Sequence, residues 1–148
     1  MLFEQGPYIQ AAAICDQVIE DKTGALSLIR IIDTLTHTEA RPDAPAEMPP
    51  VTHRLKLVLM LKSGRARGRH EIKVVPEQPS AETKPPLVMT VHLEGDEKGQ
   101  NIVGDMVFTF TMEGVHWFKV YFDDALLTCI PFRVKYMRLQ TGALPQTL

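Results

Sequence analysis

The stretch Gly114–Tyr136, GVHWFKVYFDDALLTCIPFRVKY, leaves the chain the least conformational freedom. Two strand-like segments flank Asp123-Asp124, the one place within it where no apolar residue sits. Side chains alternate between the faces of a strand, so His116, Phe118, Val120 and Phe122 share one face. Ile130, Phe132 and Val134 form the matching apolar set of the second strand, with Arg133 and Lys135 between them. A two-residue loop at Asp123-Asp124 would pair Phe118 with Cys129 and throw the two apolar sets onto opposite faces. A three-residue loop, Asp123 to Ala125, pairs Phe118 with Ile130 and His116 with Phe132, so one buried face collects both sets. The longer loop is therefore expected, although it asks Ala125 for a left-handed conformation that glycine or asparagine tolerates better. The other face carries Trp117, Tyr121, Leu127, Cys129 and Pro131, with Lys119, Arg133 and Lys135 among them. That is an apolar surface for a face turned to water.

The rest of the chain repeats the period-two pattern. Tyr8–Ile19 has alanines that would allow a helix, but its β-branched residues and the following turn favour a strand. Residues 20–24, with Gly24 free to take positive φ, form a turn. Ala25–Thr36 returns as a second strand, interrupted by Arg30 and Asp33. Leu55, Leu57, Leu59 and Leu61 alternate with Arg54, Lys56, Met60 and Lys62, broken only by Val58. SGRARG, Ser63 to Gly68, reads as a hairpin loop, followed by a strand carrying Ile72 and Val74. A strand with Leu87, Met89, Val91 and Leu93 leads to a polar turn, EGDEKGQ, and then to Met106, Phe108, Phe110 and Met112. Proline-rich segments at 39–50 and 76–86 cannot donate ladder hydrogen bonds and read as loops. Residues 141–148 look like a frayed tail. About eight short strands with turns between them predict one domain over residues 1–148, a two-sheet antiparallel sandwich with Greek-key connections. Its expected core contains Leu28, Leu57, Leu59, Ile72, Phe108, Phe110, Phe118, Val120, Ile130 and Phe132.

Composition narrows the class. A chain of 148 residues can bury about 70% of its unfolded surface, so it needs neither a disulfide nor a metal to be stable. Its net charge of −2 gives no global electrostatic case for nucleic acid or an anionic membrane. Cys15 and Cys129 lie in strand-like runs and read as reduced thiols of a cytoplasmic protein. The N-terminal MLFEQGPYIQ lacks a basic region followed by a long apolar segment, so no signal peptide is expected. No apolar stretch is long enough for a transmembrane helix.

Two stretches carry a resemblance. CDQVIEDKTGALSLIRIIDTL, Cys15 to Leu35, and GVHWFKVYFDDALLTCIPFRV, Gly114 to Val134, resemble the opening and closing hairpins of a family of small, uncharacterised bacterial and phage proteins. Pro131 belongs to that pattern, whereas Asp124 stands where glycine is common. The resemblance covers a third of the chain and implies an immunoglobulin-like sandwich. It brings no activity and no catalytic residues.

Lys62, Arg65, Arg67 and Arg69 form a candidate anion-binding group. No aromatic residue interleaves with them, so the stacking platform of single-strand binders is missing, and a solvated hairpin tip is the plainer reading. Aspartates and histidines are scattered without calcium or zinc spacing, so no metal or other cofactor is expected. No nucleophile elbow or activated cysteine appears, so the chain does not read as an enzyme and no small-molecule substrate is evident. What remains is apolar surface. Trp117, Lys119, Tyr121, Leu127, Cys129 and Arg133 form a candidate interface for a protein partner or a second copy, unless a proline-rich loop covers them. The expectation is a non-catalytic binding or assembly module, with phosphate or nucleic-acid binding through Arg65–Arg69 as the alternative.

Overall fold

The computed structural model describes residues 5–139; the expected tail at 141–148 lies outside them. The chain is all β. Seven strands follow in order: β1 (Tyr8–Glu20), β2 (Leu26–Ile31), β3 (Thr34–Glu39), β4 (Val51–Glu77), β5 (Leu87–Phe110), β6 (Gly114–Phe122) and β7 (Ala125–Arg138). Two of them are far longer than a usual strand, and they organise the rest. The first half of β4 pairs with β1, its second half pairs with β6, and β5 follows it antiparallel from Val51↔Phe110 to Val74↔Leu87.

SGRARG and EGDEKGQ are therefore not turns but the corners of two continuous strands. Gly64 and Gly95 take positive φ, as does Asp96, and the β4–β5 register shifts on both sides of Gly64. Such bulges bend and twist a ladder without ending it. Because Gly64 lies opposite Asp96, both strands turn the corner together and stay paired. Read locally, each Gly-rich polar stretch has the composition of a loop, which is why eight short strands were expected.

The bend folds the ladder into two facing layers. Phe110, paired with the start of β4, stacks on Phe132 of β7 with ring centroids 5.4 Å apart. Phe108 meets Phe118 of β6 edge-on at 5.5 Å. Neither β6 nor β7 hydrogen-bonds to β5, so these contacts run between layers. The inward positions Leu55, Leu57, Leu59, Leu61, Ile72, Val74, Val91 and Leu93 complete one core.

The expected second strand is divided. After Ile31 pairs with Cys15 of β1, the chain kinks, with Arg30 at positive φ, and Thr34 begins a parallel pairing with Arg133 of β7. The amide of Ile32 still donates to the carbonyl of Ile14 (2.8 Å), and that of Arg133 to the carbonyl of Asp33 (2.9 Å). The chain thus crosses from one layer to the other at Ile32-Asp33. This makes the second layer mixed rather than purely antiparallel. An N-terminal segment shared by both layers, closing parallel on the last strand, is the immunoglobulin-like arrangement.

Most of the expected core is buried, and Phe108 packs partly buried against it. Leu28 is the exception: it is half-buried and lies outside the core cluster. Beyond Cys15, β1 pairs only with β2, and the carbonyl of Gly24 at their turn comes within 3.5 Å of the Asn101 side-chain amide on β5. The β1–β2 hairpin therefore reaches across the outer side of the first layer. Val58 and Cys15 point to that side, yet both are fully buried and neither belongs to the core cluster.

Candidate functional site

The β6–β7 hairpin achieves its expected pairing by a different route. Phe118 faces Ile130 and His116 faces Phe132, but the loop is the two-residue Asp123-Asp124, with Phe122 opposite Ala125. Both aspartates take positive φ, 44° and 73°, the pattern of a type I′ turn. A bulge between Val120 and Tyr121, with Leu127 as the extra residue, then restores the register. Two consequences follow. Ala125 is spared the left-handed conformation. Leu127 is turned inward against the core, and Leu126, 55% exposed, takes the outer position opposite Tyr121. Leu127 thus leaves the candidate interface because the bulge reverses its side.

On the outer face of the second layer, Trp117 (39% exposed) lies between Glu77 of β4 and Pro131 of β7. Lys119 lies between Val75 and Cys129, and Tyr121 between Lys73 and Leu126. Val88 of β5, 50% exposed, faces Lys73. Arg133 is exposed beside Thr34 of β3. Lys119 lies in the middle of the face, where its ammonium pairs with the Glu77 carboxylate; that hydrogen bond raises its pKa. Lys73 lies 3.8 Å from Asp124 and 3.9 Å from Glu71. The charges in the middle of this face are therefore largely neutralised within the face.

The basic residues do not act as one group. Arg67 bridges the β4–β5 corner, donating to the Glu94 carbonyl at 2.7 Å and to the Asp96 carboxylate at 3.2 Å. Its guanidinium lies over Gly95, where an added Cβ would fall 2.6 Å from Arg67 Cζ. Arg69 is exposed opposite His92, Arg65 is exposed within the bend, and half-buried Lys62 lies beside Gly99. Acidic partners from β5 are thus built into the stretch that the sequence presents as purely basic.

One constellation escaped the sequence reading. His70 Nδ1 hydrogen-bonds the Asp123 carboxylate, and Nε2 lies 2.7 Å from the Arg67 carbonyl oxygen. Both partners only accept, so the two contacts are satisfied together when the ring is protonated and both nitrogens donate. The hydrogen bond to Asp123 raises the His70 pKa. Asp123 in turn accepts from the Glu71 amide at 2.9 Å, and that bond, ahead of His70, holds its pKa down. The Phe122 ring lies 4.7 Å from the imidazole. Together these contacts fasten the hairpin tip to β4. Asp123 reads locally as turn chemistry, and nothing near it in sequence announces a histidine 53 residues away. The buried His116 donates to the Met112 carbonyl at 3.0 Å, and desolvation lowers its pKa.

Residues 10–135 match a family of unknown function, DUF6941. The chain belongs to this family. The match spans most of the DUF6941 domain described above, from β1 to β7. No curated protein matches the chain. Among solved structures, an immunoglobulin-like protein from Pseudomonas aeruginosa is 15% identical, with a TM-score of 0.43 over 90% of this chain and 99% of that one. A β-glucosidase from Listeria innocua is 11% identical, with a TM-score of 0.48 over 89% of this chain; the DUF6941 chain spans 17% of its length.

Proposed function

We propose that this DUF6941 domain is a non-catalytic assembly module that pairs with a second copy through the outer face of β4, β6 and β7. The observation carrying this reading is an asymmetry between the two layers. The first buries Val58 and Cys15 under the β1–β2 hairpin and leaves Val103 and Val107 exposed on β5 at its edge, while Trp117, Val88 and Leu126 remain substantially exposed across the second. The proline-rich segments make contacts elsewhere: Tyr136 donates to the Pro45 carbonyl, and Pro79 lies against Gly114. Aromatic residues surrounded by charge are what interface centres favour. A two-fold pairing brings like charges together across the axis, but the Lys119–Glu77 pair and the acids around Lys73 remove most of that repulsion. The free thiols of Cys15 and Cys129 suit a cytosolic bacterial or phage setting.

Sedimentation equilibrium of the wild type and of Trp117→Glu tests the reading. A dimer at tens of micromolar that the substitution converts to monomer is the expected outcome. A monomeric wild type, or a dimer indifferent to Trp117→Glu, overturns it.

A further inference from the structure

β5 differs from every other strand in what it leaves open. It pairs only with β4, so along Asn101–Thr109 every second residue turns its N–H and C=O away from the ladder. Among the described residues no other strand takes up those groups. Exposed edges are usually blunted by shortness, proline, bulges or charge. The other edge strands, β2 and β3, are only six residues each, and β1, on the side that carries β2, is unpaired only from Tyr8 to Ala13. The β5 edge, NIVGDMVFT, is nine residues long without proline, and its one charged side chain, Asp105, is neutralised by Lys56. Val107 on its outer side is 66% exposed.

A second observation falls at the same place. A groove of about 400 Å³ runs between this edge and the Lys84–Leu87 segment of the opposite layer. Its lining includes Val74, Met106 and Phe108, and Lys84 stands half-buried on its wall with no ion pair among the described residues. The volume lies in the range of ligand-binding clefts. A strand added beside β5 would sit about 4.8 Å beyond it, and every second side chain would point between the layers, into this groove.

We propose that the β5 edge is a strand-addition site for an extended segment of a partner protein, apolar at alternate positions and carrying a carboxylate that meets Lys84. Main-chain hydrogen bonds to Asn101–Thr109 hold the segment, and the groove selects its inward side chains. Lys84 fixes the choice of an acidic residue among the apolar ones, since nothing described satisfies its charge. This surface is separate from the outer face of β4, β6 and β7, so it stands or falls independently of the dimer.

The test uses the full chain and a synthetic nine-residue peptide alternating valine and threonine, with a central glutamate replacing one valine. Binding is read by fluorescence anisotropy. The peptide is then N-methylated at alternate residues in two versions, one for each of its edges. Strand addition predicts that the unmodified peptide binds saturably, that one methylated version fails, and that the other retains affinity. Lys84→Glu should weaken the glutamate peptide about tenfold and strengthen a lysine-centred one by a similar factor. Absence of binding, or equal binding of both methylated versions, overturns the proposal. So does a wild-type dimer that Trp117→Glu leaves intact and whose β5 amides are protected from hydrogen exchange, since the edge would then belong to a second copy.

Discussion

The two outer faces of this sandwich share a strand and differ in what lies on them. Val58 and Val75 both belong to β4 and both point outward, one on each side of the corner. Val58 is fully buried, whereas Val75 lies half-buried among Lys73, Tyr121 and Asp124 around a hollow of about 210 Å³. The cause is a single non-local event: β1 runs past the end of β4 pairing and carries β2 back over the first layer. The second layer has no such strand to spare, because β3, which continues the same segment, is used to extend it beside β7. The two β4 valines therefore differ in role: Val58 completes a small secondary cluster under the hairpin, and Val75 lies on a face with no such cover.

The sharpest way to break this comparison is to place one charge on each face. Val58→Asp buries a carboxylate with no partner and should cost about 3 kcal/mol or more. Val75→Asp lies opposite Lys119 and should change stability by less than about 1 kcal/mol. Urea unfolding of both variants measures the difference, and equal costs would remove the distinction between covered and open faces. A smaller effect is expected at the corner that joins them. Gly95→Ala forces a side chain onto a residue at φ +88° and against the Arg67 guanidinium, for about 1–2 kcal/mol. An unaltered midpoint there would mean that the corner relaxes freely.

The β6–β7 hairpin tip also carries a pH dependence. The folded-state pKa of His70 is raised, so its contribution is complete below the ordinary histidine value, about 6.5, and is lost as pH rises through the higher folded value. Asp123 is shifted down, so its contribution is present above the ordinary aspartate value, about 3.9, and is lost as pH falls through the lower folded value. Stability from the hairpin tip is thus greatest between the two. Unfolding midpoints taken across neutral pH should decline on the alkaline side in the wild type, and His70→Gln should flatten that decline. An identical slope in the variant would dissociate His70 from it. The smallest effect is at the hairpin latch, where Asn101→Ala removes one long, exposed hydrogen bond and should cost only a few tenths of a kcal/mol. A loss several times larger would show that the latch, rather than apolar packing around Val58, holds the hairpin down.

Much of the ladder was legible because it rests on local alternation. The odd leucines of β4, the even positions of β6 and the pairing of Phe118 with Ile130 follow from which side chains must be buried together. The route to that pairing was not legible, since a type I′ turn plus a bulge and a three-residue loop give the same register over most of the hairpin. Within the candidate interface, Trp117, Tyr121 and Cys129 kept their outer positions while Leu127 did not, for the same reason. Lys62, Arg65, Arg67 and Arg69 are adjacent in sequence, but the acids that engage Arg67 come from β5.

What the sequence determined by itself was the set of residues that cannot face water and the period at which they recur, because alternation and hydrophobic burial act within a few residues. That made the chain all β, with a single core built largely from the expected side chains. Where strands continue, cross or double back was set by long-range packing alone. Gly64 and Gly95 become corners rather than turns because each bend meets the other in register. Arg30 to Asp33 becomes a crossing because β7 offers a parallel edge. The β1–β2 hairpin becomes a cover because Asn101 and Val58 lie beneath it. Each of these choices is governed by pairing free energy between segments far apart in the chain, and a local pattern carries no record of it.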